Sequence, residues 1–476
     1  MKKIFTLILS LATASTVFAG GTMTNTNQSA AFLRSLARGT TLDTDAVYYN
    51  PAGAAFMADG WHIGLNNQMA KQTRSTDSTF PLFAMGVKNG GQMTKTFEGE
   101  VFSPAIPSVH ITWKKERWAV MAGLGVNGGG GTIKYDDGLA SFERQFAALP
   151  AAITQLGTSY GLSASQYNMD MNLEGSSMTL AFNLGAAYRI TDWLSAAAMV
   201  RIGVTNNAYE GGMTNISVNP TCAALGLSGA MMPASQFFQA VGAQLGAVNP
   251  ALATMAGEYA VKTADHILDV KQKGTSVSPV LALYFQKGKW SAAAKYEFKM
   301  ATELEIESAE VSAKDPVING IFPNGAKVKA ETPALFSLAV SRQCGDVKVT
   351  AEWHTYFDKD AENTFSPAVK GNTMEYLLGA EWQISKKWLV SLGAQRTEYD
   401  LDPAFYSDMN FTNSAWCFGG GAAYAFSKKV RLNAGVMYTH YDEVTNNAVD
   451  AATNQNFTDV FKRTSIAWGL GLDLKF

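Results

Sequence analysis

The chain has 476 residues, and its 38 Lys and Arg against 40 Asp and Glu leave no basic excess with which to bind nucleic acid. Charged residues make up only 16% of the chain, against about 25% in a typical soluble domain. The three cysteines, Cys222, Cys344 and Cys417, are odd in number and far apart in sequence, which argues against a disulfide framework or a zinc site.

The first twenty residues, MKKIFTLILSLATASTVFAG, have the form of a secretory signal. Lys2 and Lys3 come first, an apolar run follows, and a small residue stands at Ala19. We therefore predict a signal peptide over 1–19 and a mature chain that begins at Gly20. The apolar run is too short for a transmembrane anchor, and no later stretch has about 18 uninterrupted apolar residues, so no transmembrane helix is predicted.

From Trp61 onward the sequence repeats one pattern: an alternating run, a polar turn of about two to five residues, and a second alternating run, as in a β-hairpin. The first example is ITWKKERWAV, residues 111–120. Six such hairpins supply twelve strands. WHIGLNNQMA, from Trp61, precedes them and TSIAWGLGLDLKF, from Thr464, follows them, which brings the predicted total to fourteen.

Alternation alone also fits a soluble sandwich. However, the polar faces carry charges at mid-strand, where a water-filled lumen can solvate them, and tryptophans flank the short turns as an aromatic girdle does. These are Trp113, Trp118, Trp193, Trp290, Trp382 and Trp388. We predict an all-β fold, a 14-stranded antiparallel transmembrane β-barrel over 61–476 in the bacterial outer membrane, since an even number of strands closes the sheet without a free edge.

The long connections are then extracellular. The first runs roughly from 73 to 104, and the longest lie near 127–178 and 206–276. Both contain apolar residues at helical spacing. The first set is Phe142, Phe146 and Leu149, and the second is Phe237, Val241 and Leu245, with Pro233 near the helix start. Two interpretations stay open: the helices only cap the barrel mouth, or their apolar faces form a docking groove for a hydrophobic ligand.

Residues 20–60 lack clean alternation and could fill the lumen as a plug, which we call the hatch. The hatch contains YYNPAGAAF, Tyr48 to Phe56. Asn50-Pro51-Ala52, the segment SPAIPSVHITWKKERWAVMAGLGVNGGGGTIKYDDG (103–138), the hairpin MTLAFNLGAAYRITDWLSAAAMV and the C-terminal Phe476 together resemble the FadL-type outer-membrane transporters of long-chain fatty acids and aromatic hydrocarbons.

The resemblance implies a mechanism. A hydrophobic acid docks on apolar loop helices, passes to a pocket in the barrel, and leaves through a gap in the wall after the hatch, with Asn50, Pro51 and Ala52, moves. The family places a wall defect near the third strand, where this chain has Gly128, Gly129, Gly130 and Gly131. Glycine favours bulges and bends, and a flexible loop start is the alternative.

A carboxylate head group needs a cation, and Arg201 is the first candidate because it alternates inward, with Lys295 and Lys299 next. The competing interpretation is a lumen network in which these cations pair with Glu297 or Glu352. We expect a monomer whose partners are a hydrophobic small molecule and the lipid and lipopolysaccharide of the outer membrane.

Catalytic chemistry is not expected. GTSYG, residues 157–161, fits the G-x-S-x-G motif, but a predicted helix rather than a strand precedes Ser159. The histidines show no metal-ligand spacing, and NGGGG lacks the Lys and Ser/Thr of a phosphate loop. We expect no enzyme, no cofactor and no metal. Aromatic hydrocarbon uptake, a general porin, an adhesin and a lipolytic enzyme are the alternative functions.

Overall fold

A closed antiparallel wall surrounds an interior filled by N-terminal residues in the computed structural model, which describes residues 27–157, 161–245, 248–364, 369–451 and 453–476. The side chains of Leu156 and Leu245 are not described, and the predicted signal peptide lies outside these ranges. Neighbouring strands pair in chain order, and the first strand also pairs with the last, with His62 opposite Lys475. The predicted 14-stranded barrel is confirmed.

The wall strands are β1 (Gly60–Thr79), β2 (Thr94–Lys115), β3 (Trp118–Tyr135), β4 (Tyr167–Arg189), β5 (Leu194–Val218), β6 (His266–Lys287), β7 (Trp290–Glu297, resumed at Glu303–Ser308), β8 (Lys327–Lys329, resumed at Leu335–Cys344), β9 (Val347–Tyr356), β10 (Thr373–Gln383), β11 (Trp388–Glu398), β12 (Ala415–Ala425), β13 (Val430–Tyr441, resumed at Val444–Val449) and β14 (Asn456–Lys475). Three two-residue strands lie between β5 and β6: Thr221–Cys222, Leu227–Ser228 and Met232–Pro233.

The helices lie in the hatch and in the long connections. They are α1 (Ala30–Arg34), α2 (Ala46–Tyr49), α3 (Ala140–Ala147), α4 (Leu149–Gly157), α5 (Ala234–Leu245), α6 (Pro250–Lys262), α7 (Glu310–Lys314) and α8 (Pro316–Ile321). Short 3-10 helices span Pro51–Phe56, Pro81–Met85, Val87–Asn89, Ala223–Leu225, Asp358–Asp360 and Pro403–Phe405. Within the described ranges, none of the helices is long and apolar enough to cross a membrane.

The two faces of the wall differ as the alternation predicts. Side chains that face outward include Leu392, Val277 and Leu470, each more than half exposed. The tryptophans beside the short turns also face outward, and Trp118 and Trp290 are 55% and 50% exposed. The inward face is polar and buried. This distribution is that of a barrel with an apolar outer band and an aromatic girdle.

Several strands extend farther than the sequence indicates. The predicted connection from residue 73 to 104 is in fact β-structure up to Thr79 and again from Thr94. The connections near 127–178 and 206–276 likewise shrink, because β3 continues to Tyr135 and β5 to Val218. The strand ends carry polar residues on both faces, so hydrophobic alternation fades although the backbone ladder continues.

The described part of the hatch, residues 27–59, is mostly buried inside the barrel. Its helix α1 packs against β12, β13 and β14, and the 3-10 helix Pro51–Phe56 packs against β4, β5 and β6. Glycines on the wall permit this close approach: a Cβ on Gly435 would stand 2.8 Å from the backbone nitrogen of Arg34.

Candidate ligand-binding site and gate

An apolar cavity of about 300 Å³ lies among the extracellular helices, and we call it the loop cavity. Helix α6 begins where Asn249 accepts a hydrogen bond from the Leu252 amide (3.1 Å), and Pro250 occupies its first turn. This start lays α6 against α5. The cavity is lined chiefly by Ile153, Leu162, Cys222, Phe237, Phe238, Val241, Leu252, Met255 and Tyr259. Its lining contains no charged residue, so it suits an uncharged apolar group.

A second cavity, of about 250 Å³, lies where the loops meet the barrel wall, and we call it the mouth cavity. Phe142, Phe146 and Leu149 form part of its apolar lining, and Met213 of β5 contributes from the wall. The polar residues around it are Gln145, Gln155, Lys262, Thr263, Thr453 and Gln455. The lining therefore contains one cation and no carboxylate.

Helix α3 is fixed over the barrel by charged groups. Arg144 donates to Asp459 of β14 (2.8 Å) and to Ser78 of β1 (2.9 Å), and both arginine and aspartate are buried. On the same helix, Glu143 accepts from Lys95 at 2.7 Å. These bonds aim the phenylalanines of α3 into the mouth cavity.

Tyr259 lines both cavities. Its ring stacks on Phe238 with centroids 5.1 Å apart, and the Lys262 ammonium lies 5.7 Å from the ring centre. Burial among apolar groups raises the pKa of the Tyr259 phenol, so the hydroxyl stays protonated and uncharged. Tyr259 therefore forms part of the boundary between the two cavities.

The predicted apolar residues are thus divided between two cavities rather than gathered in one groove. Phe142, Phe146 and Leu149 line the mouth cavity, and Phe237 and Val241 line the loop cavity. The Leu245 side chain and Ser159 lie outside the described residues. The predicted ligand-binding residues include neither Phe238 nor Tyr259, although the sequence places Tyr259, with Leu252 and Met255, on a helical turn after Asn249-Pro250.

The three candidate head-group cations are all bound to acids. Arg201 lies inward, pairs with Glu297 and donates to Asn183 at 2.7 Å. Lys295 contacts Glu297 at 2.6 Å and donates to the Tyr48 carbonyl of the hatch at 2.9 Å. Lys299 contacts Glu331 at 2.7 Å. The geometry matches the lumen network for Arg201 and Lys295.

The hatch motif Asn50-Pro51-Ala52 is a tightly bonded turn. The Asn50 side chain accepts from the Gly53 amide (3.1 Å) and donates to the Thr41 carbonyl (2.9 Å). Pro51 begins the 3-10 helix, where its missing amide costs nothing. The Ala52 carbonyl accepts from Ser195 of β5 at 2.6 Å, which ties this turn to the wall.

Buried ion pairs attach the rest of the hatch to the opposite wall. Arg34 contacts Glu381 of β10 at 2.7 Å, and Arg38 contacts the same carboxylate at 3.1 Å. Arg38 also pairs with Asp45 at 2.9 Å. On β13, Arg431 contacts Asp43 at 2.6 Å. Breaking one partner of such a buried pair costs about 3–5 kcal/mol, because a charge is left uncompensated.

The backbone ladder between β2 and β3 is interrupted. Pairing between these strands stops after Val101 opposite Ile133 and resumes at Val109 opposite Leu124. Gly128, Gly129, Gly130 and Gly131 lie in the part of β3 that pairs with β4 but not with β2, and Gly129 and Gly130 have φ of +65° and +113°. Pro104 and Pro107 on the facing strand have no amide to donate.

Gln28 of the hatch lies across this break in the ladder, which we call the wall gap. Its side-chain amide nitrogen donates to the Val126 carbonyl at 2.6 Å, and its backbone carbonyl accepts from the Ser108 hydroxyl at 2.6 Å. It therefore bonds to both strands where the backbone ladder between them is interrupted, and Ser103 of β2 also donates to the Gly130 carbonyl of β3 there at 2.6 Å. Among the described residues, no group of acids, histidines or cysteines is placed to hold a metal ion.

A closed fourteen-stranded wall, an apolar outer band and an interior occupied by N-terminal residues define an outer-membrane β-barrel with an internal hatch. Residues 263–444 match a family model described as Gram-negative porin. No curated protein matches the chain.

Solved structures with this architecture include a FadL homologue from Pseudomonas aeruginosa, with 13% identity, 96% of this chain and 100% of that chain covered, and a TM-score of 0.63. The P. putida toluene transporter TodX has 17% identity, 92% and 95% coverage, and a TM-score of 0.53. The Ralstonia pickettii toluene transporter TbuX has 14% identity, 97% and 99% coverage, and a TM-score of 0.53. The FadL-type resemblance is confirmed as a shared fold, and the outer-membrane location is confirmed.

Proposed function

We propose that this protein takes up hydrophobic compounds through the outer membrane and that long-chain fatty acids are its ligands. The observation that carries the proposal is the pair of apolar cavities that share Tyr259, directly above a barrel interior that the hatch occupies. A ligand docks in the loop cavity, passes Tyr259 into the mouth cavity, and enters the barrel. It leaves sideways through the wall gap when Gln28 moves away.

The energetics suit passive transfer. Each buried CH₂ gains about 0.8 kcal/mol relative to water, and this gain is similar in both cavities, so movement between them needs no energy source. Lys262 at the mouth cavity favours an acid over a neutral chain. The function printed for TodX and TbuX, toluene transport, makes an aromatic hydrocarbon the second candidate, and the uncharged lining of the loop cavity favours it.

We also propose the organisation that this function needs. The signal peptide over 1–19 is removed, residues 20–60 form the hatch, and 61–476 form the barrel. The molecule acts as a monomer surrounded by lipid and lipopolysaccharide, without enzymatic activity.

Binding tests the proposal. The purified protein should bind oleate or toluene in a fluorescence displacement assay. Val241→Asp places a charge in the loop cavity and should weaken binding roughly 10-fold or more, since a buried charge opposes an apolar ligand. Val248→Asp, on the same loop at a residue 74% exposed, is the matched control and should have no effect. Failure of the native protein to bind either compound would contradict the proposal.

A further inference from the structure

Two arginines face each other inside the barrel on the strands that close it. Arg74 of β1 and Arg463 of β14 are direct partners in the strand register, and their residues are 2% and 4% exposed. Like charges directly opposite on neighbouring strands destabilise a sheet. Such a pair lowers the stability of the barrel, and we expect it to be retained for a function.

Other interior arginines have carboxylate partners within salt-bridge distance. The pairs are Arg34 with Glu381, Arg38 with Asp45, Arg144 with Asp459, Arg201 with Glu297 and Arg431 with Asp473. Arg74 differs: within the described ranges, its guanidinium forms no salt bridge to any carboxylate. It donates instead to the Phe411 carbonyl at 2.8 Å and stacks 4.2 Å from the Phe411 ring.

Buried N–H donors without an acceptor lie beside the pair, on Arg74 and Gln72. Arg463 donates to the Gln72 side-chain oxygen at 3.0 Å and lies 4.4 Å over the Tyr441 ring. The Nε of Arg74 and the Nε2 of Gln72 are buried and have no hydrogen-bond acceptor among the residues that the structure describes. A buried donor without a partner costs about 1–3 kcal/mol, so this cluster favours an added acceptor with negative charge.

The pair lies along the route that a ligand would follow inward. The mouth cavity is lined by Leu82, just beyond β1, and by Gln455, just before β14. Along β14, eight residue positions separate Gln455 from Arg463, a distance of about 25 Å. A molecule that leaves the mouth cavity along this seam passes Arg144 and Asp459 and then meets the two guanidiniums.

We propose that Arg74, together with Arg463, binds the carboxylate of a hydrophobic acid inside the barrel. This proposal rests on the proposed function, and it assigns the head-group role to residues other than Arg201, Lys295 and Lys299. Guanidinium groups bind carboxylates through paired N–H donors. The rings of Phe411 and Tyr441 flank the cations and offer an apolar surface to the first methylenes.

The test compares oleate with oleyl alcohol, which differs only at the head group. Displacement assays on the purified full-length protein should give a higher affinity for oleate. Arg74→Gln should reduce oleate affinity roughly 10- to 100-fold, the effect of losing charge-assisted hydrogen bonds, and leave oleyl alcohol within about 2-fold. Arg74→Lys should retain part of the preference. Arg201→Gln, which removes an arginine already paired with Glu297, is the matched control and should leave the ratio of the two affinities unchanged.

Equal affinities of the native protein for oleate and oleyl alcohol would overturn the assignment without any variant, so a misfolded Arg74→Gln does not decide the matter. An unchanged ratio in a folded Arg74→Gln would also overturn it. Acetate that competes as well as oleate would indicate a site for small anions and overturn the hydrophobic acid. Binding of oleyl alcohol without a preference for oleate defeats only this inference, whereas binding of neither compound nor toluene defeats the proposed function itself.

Discussion

Two separate effects, backbone strain and a steric clash, oppose a side chain at Gly129. Its φ of +65° lies in the left-handed region, and a Cβ there would stand 2.0 Å from the Ser177 carbonyl oxygen of β4. Gly90 has a similar φ of +58° but nothing within 4 Å of its would-be Cβ. A comparison of the two positions therefore distinguishes backbone strain, which both have, from steric clash, which only Gly129 at the wall gap has.

We predict that Gly129→Ala destabilises the barrel by about 1–3 kcal/mol more than Gly90→Ala, because both pay the left-handed strain of about 1–2 kcal/mol but only the first must also displace the backbone of β4. Urea unfolding midpoints, followed by the gel shift between folded and heated samples, measure the difference. Equal midpoints for the two variants would show that the backbone of β4 shifts without loss of stability and would contradict the prediction.

Residues of the gap could be found from sequence because Gly128 to Gly131 are consecutive and interrupt a clear alternation. Arg201 could likewise be placed inward from alternation. Arg74 could not, since KQTRSTDST is polar on both faces and seemed to belong to a connection. Glu297, which the sequence analysis names as a partner, neutralises both Arg201 and Lys295. The bond from Lys295 to the Tyr48 carbonyl of the hatch was not predictable, because contacts between the hatch and the wall are not encoded in any local pattern.

Helix α6 contributes residues to both the loop cavity and the mouth cavity. It packs against α5 through Phe238 and Tyr259, and the same tyrosine forms part of the mouth cavity. The start of this helix was predictable from Asn249-Pro250, and that of α5 from Pro233. The division into two cavities was not, because it depends on how helices from separate connections pack together.

We predict that Tyr259→Trp slows transfer from the loop cavity to the mouth cavity, since a larger ring fills the shared boundary. Tyr259→Phe keeps the ring and removes only the hydroxyl, so it should transfer ligand at the native rate. Stopped-flow fluorescence of a labelled fatty acid should resolve a fast docking phase, unchanged in both variants, and a slower second phase, reduced several-fold only in Tyr259→Trp. An identical second phase in all three proteins would rule out Tyr259 as the boundary.

At the scale of the molecule, the polar interior would conduct ions if the hatch did not occupy it. Deletion of residues 27–59 removes Gln28, Arg34 and Arg38 together with the turn at Pro51. We expect this deletion to produce stable open-channel currents in planar bilayers, whereas the intact protein and the exposed-surface control Glu100→Gln should give little current. Equal conductance with and without the hatch would instead indicate a general porin.

The number of strands and the closure of the barrel were predictable because short polar turns between alternating runs mark the hairpins, and tryptophans flank most of these turns. The path of the hatch was not, since it follows from ion pairs between α1 and β10 and from glycines on the inner wall rather than from periodicity. Local sequence therefore specifies the strands of the barrel wall, whereas contacts between distant segments determine how the hatch packs inside the barrel.

The unexpected length of the strands has a consequence for how a ligand first meets the protein. β1 has 20 residues, and at about 3.4 Å per residue and a tilt of about 40° it rises about 50 Å, roughly twice the height of an apolar band. About half of the height of the barrel therefore extends beyond the apolar band, and the two cavities, which lie at the extracellular ends of the strands, lie beyond that band. Under the proposed function, a hydrophobic molecule would reach these cavities from the medium before it meets the hydrocarbon of the membrane.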